Sequence, residues 1–133
     1  MGTLKLRFVG PMLSVALVAS AALPSTVAAT HCDVTANRPT LSSGRIGGLG
    51  GYFCAEPGGI GKRITVRLQR YNSGLGAWLT VVSSTSPWST QNVREWGVAT
   101  TCASGQWRTQ AVFDHSWAGH DETVNSSSLT TSC

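Results

Sequence analysis

Lys62-Arg63-Ile64-Thr65-Val66-Arg67-Leu68-Gln69-Arg70-Tyr71-Asn72-Ser73-Gly74-Leu75-Gly76-Ala77-Trp78-Leu79-Thr80-Val81-Val82 is the stretch around which the chain is organised. Between Arg63 and Gln69, Ile64, Val66 and Leu68 hold one parity while Arg63, Thr65, Arg67 and Gln69 hold the other, the period-2 pattern of a strand with one buried face. Asn72 to Gly76 supplies residues that tolerate tight reversal, and the β-prone run Trp78 to Val82 follows directly. The stretch is expected to form a β-hairpin. A lone hairpin is marginal in water, so its apolar face requires further strands from the flanking segments.

Met1 to Ala29 has the three parts of a secretory leader. Lys5 and Arg7 precede an apolar run from Phe8 to Leu23, and Val27-Ala28-Ala29 fits a small-x-small cleavage site, which places cleavage after Ala29. The apolar run is short of the roughly 20 residues a spanning helix needs and Pro24 interrupts it, so no membrane anchor is expected after cleavage. Acylation of Cys32 is set aside because His31 stands where that processing wants a small residue. Two of the ten basic residues lie in the leader and all six acids lie after it, which leaves residues 30–133 with a net charge of +2. Such a balance argues little for nucleic acid or an anionic membrane as partner, and neither is expected. Arg63 and Arg67, with Lys62 and Arg70 near the strand ends, could form a positive stripe; charged side chains that simply solubilise a strand are the simpler reading.

The remaining 104 residues suffice for one domain with a modest core. Cys32, Cys54, Cys102 and Cys133 are an even set in an exported chain, so two disulfides are expected, with three pairings possible. Cys32 with Cys54 and Cys102 with Cys133 is the favoured pairing, each half closing on itself. The spacings fit neither a zinc site nor a CxxC redox motif.

Residues 33–61 read as the least regular part, because eight of the fifteen glycines fall between Gly44 and Gly61 and glycine weakens strands. Loops and one short strand ending near Cys54 are expected there. Gly61-Lys62 is not a phosphate-binding loop, since Arg63 stands where Ser or Thr is needed and Glu56 where the first glycine belongs. Ser83 to Thr90 reads as a loop. Beyond it, Trp96, Val98, Thr100 and Cys102 share one parity, and Trp107, Thr109, Ala111 and Phe113 alternate with Gln106, Arg108 and Gln110. Asp114 to Asp121 reads as a loop, and Thr123 to Thr131 as one polar edge strand. Five to seven short strands without helical period define an all-β, disulfide-braced antiparallel β-sandwich, loosely immunoglobulin-like, preceded by a signal peptide.

Cys54, Ile64-Thr65-Val66-Arg67-Leu68-Gln69-Arg70, Gly76-Ala77-Trp78-Leu79-Thr80-Val81-Val82 and Cys102-Ala103-Ser104-Gly105-Gln106-Trp107-Arg108-Thr109 together resemble small secreted β-sandwich proteins of actinobacteria, a largely uncharacterised group. The resemblance covers roughly Cys54 to Phe113 and implies export and a sandwich, but no activity. Size, cysteine count and sheet content are also similar to the tendamistat type of amylase inhibitor, which presents a Trp-Arg-Tyr turn between its first two cysteines. Trp107-Arg108-Thr109 lacks the tyrosine and follows the third cysteine, so that activity is not carried over.

No constellation names a reaction. Ser116 follows His115, but neighbours on extended chain point apart and no GxSxG turn exists. Asp121 and Glu122 are adjacent rather than placed across a bond, and Glu56 and Glu95 are remote. His115, His120, Asp114 and Asp121 could converge on a metal only if one loop folded around it. Catalysis and cofactors are therefore not expected, and the tryptophans carry the functional reading. Trp96 and Trp107 share parity with apolar neighbours and belong to the core. Trp78 is undecided, since Thr80 and Val82 share its parity while Leu79 and Val81 take the other face. Trp88 and Trp117 stand in polar loops, where an aromatic ring suits a sugar or protein contact or lids an open edge of the core. The expectation is a secreted binding or inhibitory module whose partner is an extracellular protein or a polysaccharide, with a stand-alone carbohydrate-binding module as the alternative and a small hydrolase or metalloprotein behind it.

Overall fold

The computed structural model describes residues 32–55, 60–116 and 122–133, and these form two antiparallel sheets packed face to face. The strands are β1 (Cys32–Ala36), β2 (Thr40–Ser42), β3 (Arg45–Cys54), β4 (Lys62–Asn72), β5 (Ala77–Thr85), β6 (Val93–Thr101), β7 (Gly105–His115), β8 (Glu122–Asn125) and β9 (Leu129–Thr131). In the first sheet β3 is central: β6 pairs along one edge, and β1 and β2 share the other in tandem. In the second sheet β4 lies between β5 and β7, and β8 and β9 share the far edge of β7. No helix among the described residues is long and apolar enough to cross a membrane.

The expected hairpin is β4–β5. Asn72 Oδ1 accepts the Leu75 amide at 3.0 Å and Gly76 takes φ 63°, a left-handed conformation that glycine adopts without a Cβ penalty. Ile64, Val66 and Leu68 are fully buried against Ile46, Tyr52 and Cys54 of β3 and Trp107, Ala111 and Phe113 of β7. Phe113 and Tyr52 meet across the core with ring centroids 5.0 Å apart.

The glycine-rich segment is a strand rather than a set of loops. β3 runs for ten residues and is the centre of its sheet. A Cβ on Gly48 would stand 2.9 Å from Thr109 Oγ1, and one on Gly50 would stand 3.0 Å from both Ala111 Cβ and Val66 Cγ2. The glycines thus replace side-chain volume with close approach of the two sheets, and paired neighbours on both edges offset their weak strand propensity. The strand count rises to nine for the described residues, because β1 and β2 also come from this region. Three further boundaries differ from expectation, the first at Asp114 and His115, which read as loop but continue β7 because they pair with Arg63 and Lys62 of β4. β5 continues through Ser83 and Ser84 to Thr85, since Ser84 Oγ faces inward and accepts the Trp96 indole N–H at 3.0 Å. The polar C-terminal run splits into β8 and β9 at Ser126, whose Oγ takes the Thr109 amide at 2.9 Å.

The disulfides join Cys32 to Cys54 and Cys102 to Cys133, as favoured from sequence. The first links residues directly opposite on β1 and β3; the second ties the final residue to the β6–β7 connection. Closing loops of 22 and 31 residues contributes roughly 3 to 4 kcal/mol each on the chain-entropy model.

Candidate functional site on the outer face of the second sheet

The wet residues of β4 and β7 combine into one surface because the two strands are neighbours. Arg63 lies opposite Asp114, Thr65 opposite Val112, Arg67 opposite Gln110 and Gln69 opposite Arg108. Eight residues of extended chain separate Arg63 from Tyr71, about 26 Å at the usual strand rise.

A bulge in β5 completes this face. Leu68 pairs with Val82 but Gln69 pairs with Thr80, which leaves Val81 as an extra residue. Val82 and Ser84 point toward the core, so without the bulge Thr80 and Trp78 would follow them. With it they turn outward, and Gln69 Nε2 donates to Thr80 Oγ1 at 3.2 Å. Trp78, undecided by alternation, therefore stands on the exposed face beside Tyr71, with ring centroids 5.3 Å apart.

Between its ends the face is a connected hydrogen-bond network. Arg67 Nη1 and Gln69 Nε2 both donate to Gln110 Oε1, at 3.1 and 3.4 Å; Arg108 Nε donates to Gln69 Oε1 at 2.8 Å; and Gln110 Nε2 reaches Asn125 Oδ1 at 3.0 Å. Gln69 is only 7% exposed although it lies on the outer side, because the longer side chains around it close over it. Such a network holds its donors and acceptors in place before any ligand arrives. Arg63 pairs with Asp114 at 2.8 Å, whereas among the described residues Arg67 and Arg108 have only neutral oxygen acceptors. Burial lowers the Arg108 pKa from its ordinary value, though a guanidinium remains cationic at neutral pH.

Each end carries a tryptophan under an arginine. The Arg108 guanidinium lies 4.6 Å from the Trp78 ring centroid, and that of Arg63 lies 4.5 Å from the Trp88 ring centroid. Trp88 keeps 51% of its surface exposed. Its loop is fastened on both sides: Ser86 Oγ accepts the Ile64 amide at 3.0 Å, and Ser89 and Lys62 exchange backbone bonds of 2.7 and 2.8 Å. Lys62 is not part of a surface stripe. It is fully buried, and its Nζ donates to the Ile60 carbonyl at 3.1 Å, the Thr90 carbonyl at 3.4 Å and Asn92 Oδ1 at 3.0 Å, anchoring the loop that presents Trp88. Near the Trp78 end a shallow depression of about 340 Å³ opens among Arg70, Tyr71, Asn72, Ser73, Leu79 and Val81.

Trp117, His120 and Asp121 lie outside the described residues, so neither the second loop tryptophan nor the four-residue metal set has a described geometry. Among the described residues no three His, Cys, Asp or Glu side chains gather as metal ligands. Ser116 Oγ accepts the Gly61 amide at 3.1 Å, and His115 tilts against the Phe113 ring at 5.8 Å. Trp107 is buried, its indole donating to the Ala103 carbonyl at 2.8 Å, and Trp96 is partly buried against the core. Sequence reasoning singled out Trp88 but missed Trp78, Arg67, Arg108, Gln69 and Gln110 as a group; their signal was the pair of polar parities on β4 and β7. Comparison with family models, with curated proteins and with solved structures returned no match.

Proposed function

We propose that this protein is an exported binding module without catalytic activity, and that it holds an extracellular ligand against the outer face of the second sheet. One observation carries the reading: Trp78 and Trp88 stand at opposite ends of one exposed face, each stacked with an arginine, with a hydrogen-bonded set of amides and guanidiniums between them. Rings held this way lose little conformational freedom on binding, so more of the contact energy reaches the affinity. The two disulfides suit an oxidising compartment, and the leader pattern of residues 1–29 supports export. An inhibitor built on a projecting loop is less well supported, because these disulfides join adjacent strands and a chain end.

The test is retention of the purified, oxidised protein on insoluble polysaccharides and on immobilised proteins of culture medium. Trp78→Ala and Trp88→Ala should each weaken retention about tenfold or more while the thermal midpoint stays within a few degrees. Retention unaffected by both substitutions would rule out this face.

A further inference from the structure

We infer that the ligand is a carboxylated polysaccharide, a polyuronate lying along β4 with its carboxylates on Arg67 and Arg108 and a sugar ring on Trp78; this rests on the binding role proposed above. A guanidinium carries five N–H donors. On this face Arg67 directs one to Gln110 and Arg108 directs one to Gln69, both neutral acceptors. Each cation is only partly buried, and none of its nitrogens is sealed from solvent without a partner, so its remaining donors stay open to a ligand. A carboxylate accepts two parallel N–H bonds from such a fork, a match that a neutral hydroxyl does not offer.

Position supports a polymer. Arg108 stands diagonally from Arg67 across the β4–β7 pair, about 7 to 8 Å away at ordinary sheet spacing. From β7 the Arg108 guanidinium reaches over to the Trp78 ring of β5 and covers one side of it, so both charges and the ring share this face. The positions around them, Gln110, Thr80 and Asn125, are amides and a hydroxyl, the groups that exchange hydrogen bonds with sugar hydroxyls. Nucleic acid fits less well. Its affinity grows with the number of phosphates neutralised, and among the described residues this face offers two guanidiniums without a carboxylate partner, on a chain whose residues 30–133 carry only +2.

The experiment is calorimetric titration of the purified, oxidised protein with polygalacturonate, with the same polymer methyl-esterified, with a neutral β-glucan, with dextran sulfate and with single-stranded DNA. Polygalacturonate should bind at least tenfold more tightly than its ester or the glucan, and more tightly than the sulfate polymer or DNA. Arg67→Gln and Arg108→Gln should each cost about 10- to 100-fold, as expected for a lost hydrogen bond to a charged group, with an unchanged thermal midpoint. Arg67→Lys should fall between wild type and Arg67→Gln, because it restores charge without the fork. Equal affinity for acid and ester, tighter binding of dextran sulfate or DNA, or indifference to both arginine substitutions would overturn the polyuronate assignment. In the first and last cases a loss caused by Trp78→Ala would leave the binding role standing. Binding of none of these polymers would overturn the assignment; if the tryptophan variants also leave retention on every immobilised protein unchanged, the binding role falls with it.

Discussion

β3 and β4 face each other across one core, at the centres of their sheets, and treat their outer surfaces in opposite ways. On the first sheet, Gly47 and Gly51 alternate with Leu49 and Phe53, next to Gly97 and Val93 of β6; Leu49, Phe53 and Val93 are 41%, 57% and 60% exposed. On the second, arginines and glutamines interlock between two tryptophans. The difference follows from the inner faces. Where β3 gives up side chains at Gly48 and Gly50, β4 and β7 supply the volume with Val66, Leu68, Thr109 and Ala111. β3 is thus built for close approach, while β4 fills the core on one side and displays a rigid polar array on the other. Exposed apolar area alone does not separate the two sheets, since Tyr71, Leu79, Val81 and Trp88 are exposed on or beside the second. Directed donors and fixed rings are what distinguish a candidate site, and they lie on the second.

The largest contrast should come from leucines on the two central strands. Leu68→Ala, which removes a fully buried side chain, should cost about 2 to 5 kcal/mol in urea denaturation, whereas Leu49→Ala should stay within roughly 0.5 to 1 kcal/mol. Equal losses would mean that the outer surface of the first sheet is covered. Next come the glycines of β3. Gly50→Val meets Ala111 and Val66 at 3.0 Å and should cost about 1 to 3 kcal/mol or more, while Gly47→Val, with its nearest neighbour at 3.7 Å, should be neutral to slightly stabilising. If both are tolerated, the sheets do not meet at this waist.

The smallest effect concerns Tyr52. Burial raises its phenol above the ordinary value of 10.0, with Arg94 pulling the other way. Its hydroxyl has no hydrogen-bond partner among the described residues, so the nearby Arg94 guanidinium offsets burial only in part. The folded state therefore favours the protonated phenol: that stabilisation is complete below pH 10 and is lost as pH rises through 10 toward the higher folded value. Tyr52→Phe should change stability by less than about 1 kcal/mol at neutral pH and should flatten the decline of the thermal midpoint above pH 10. An unchanged alkaline slope would show that Tyr52 does not titrate differently in the two states.

Alternation made β4, β6 and β7 legible because each carries side chains of contrasting polarity at every second position. It failed on β3, since a glycine displays no parity and its reason for being there, Thr109 or Ala111 opposite, lies some sixty residues away in the chain. It also failed at Val81. Trp78, Thr80 and Val82 keep one unbroken parity in sequence, and only the pairing with β4 reveals the extra residue that reverses the first two. Trp88 was visible as a loop aromatic, but the arginine stacked on it and the buried Lys62 that fastens its loop depend on contacts no local pattern encodes. The polar parities of β4 and β7 were readable as two stripes; that they merge into one surface is a fact of topology.

The most direct test of the binding face is an amide and indole chemical-shift map of the ¹⁵N-labelled, oxidised protein titrated with oligogalacturonate. The largest shifts are expected at the Trp78 and Trp88 indoles and along Arg67, Gln69, Arg108 and Gln110, with the Trp96 and Trp107 indoles, engaged by Ser84 and Ala103, left in place. Shifts gathered instead around Leu49, Phe53, Val93 and Gly97, or none at saturating ligand, would contradict this binding face.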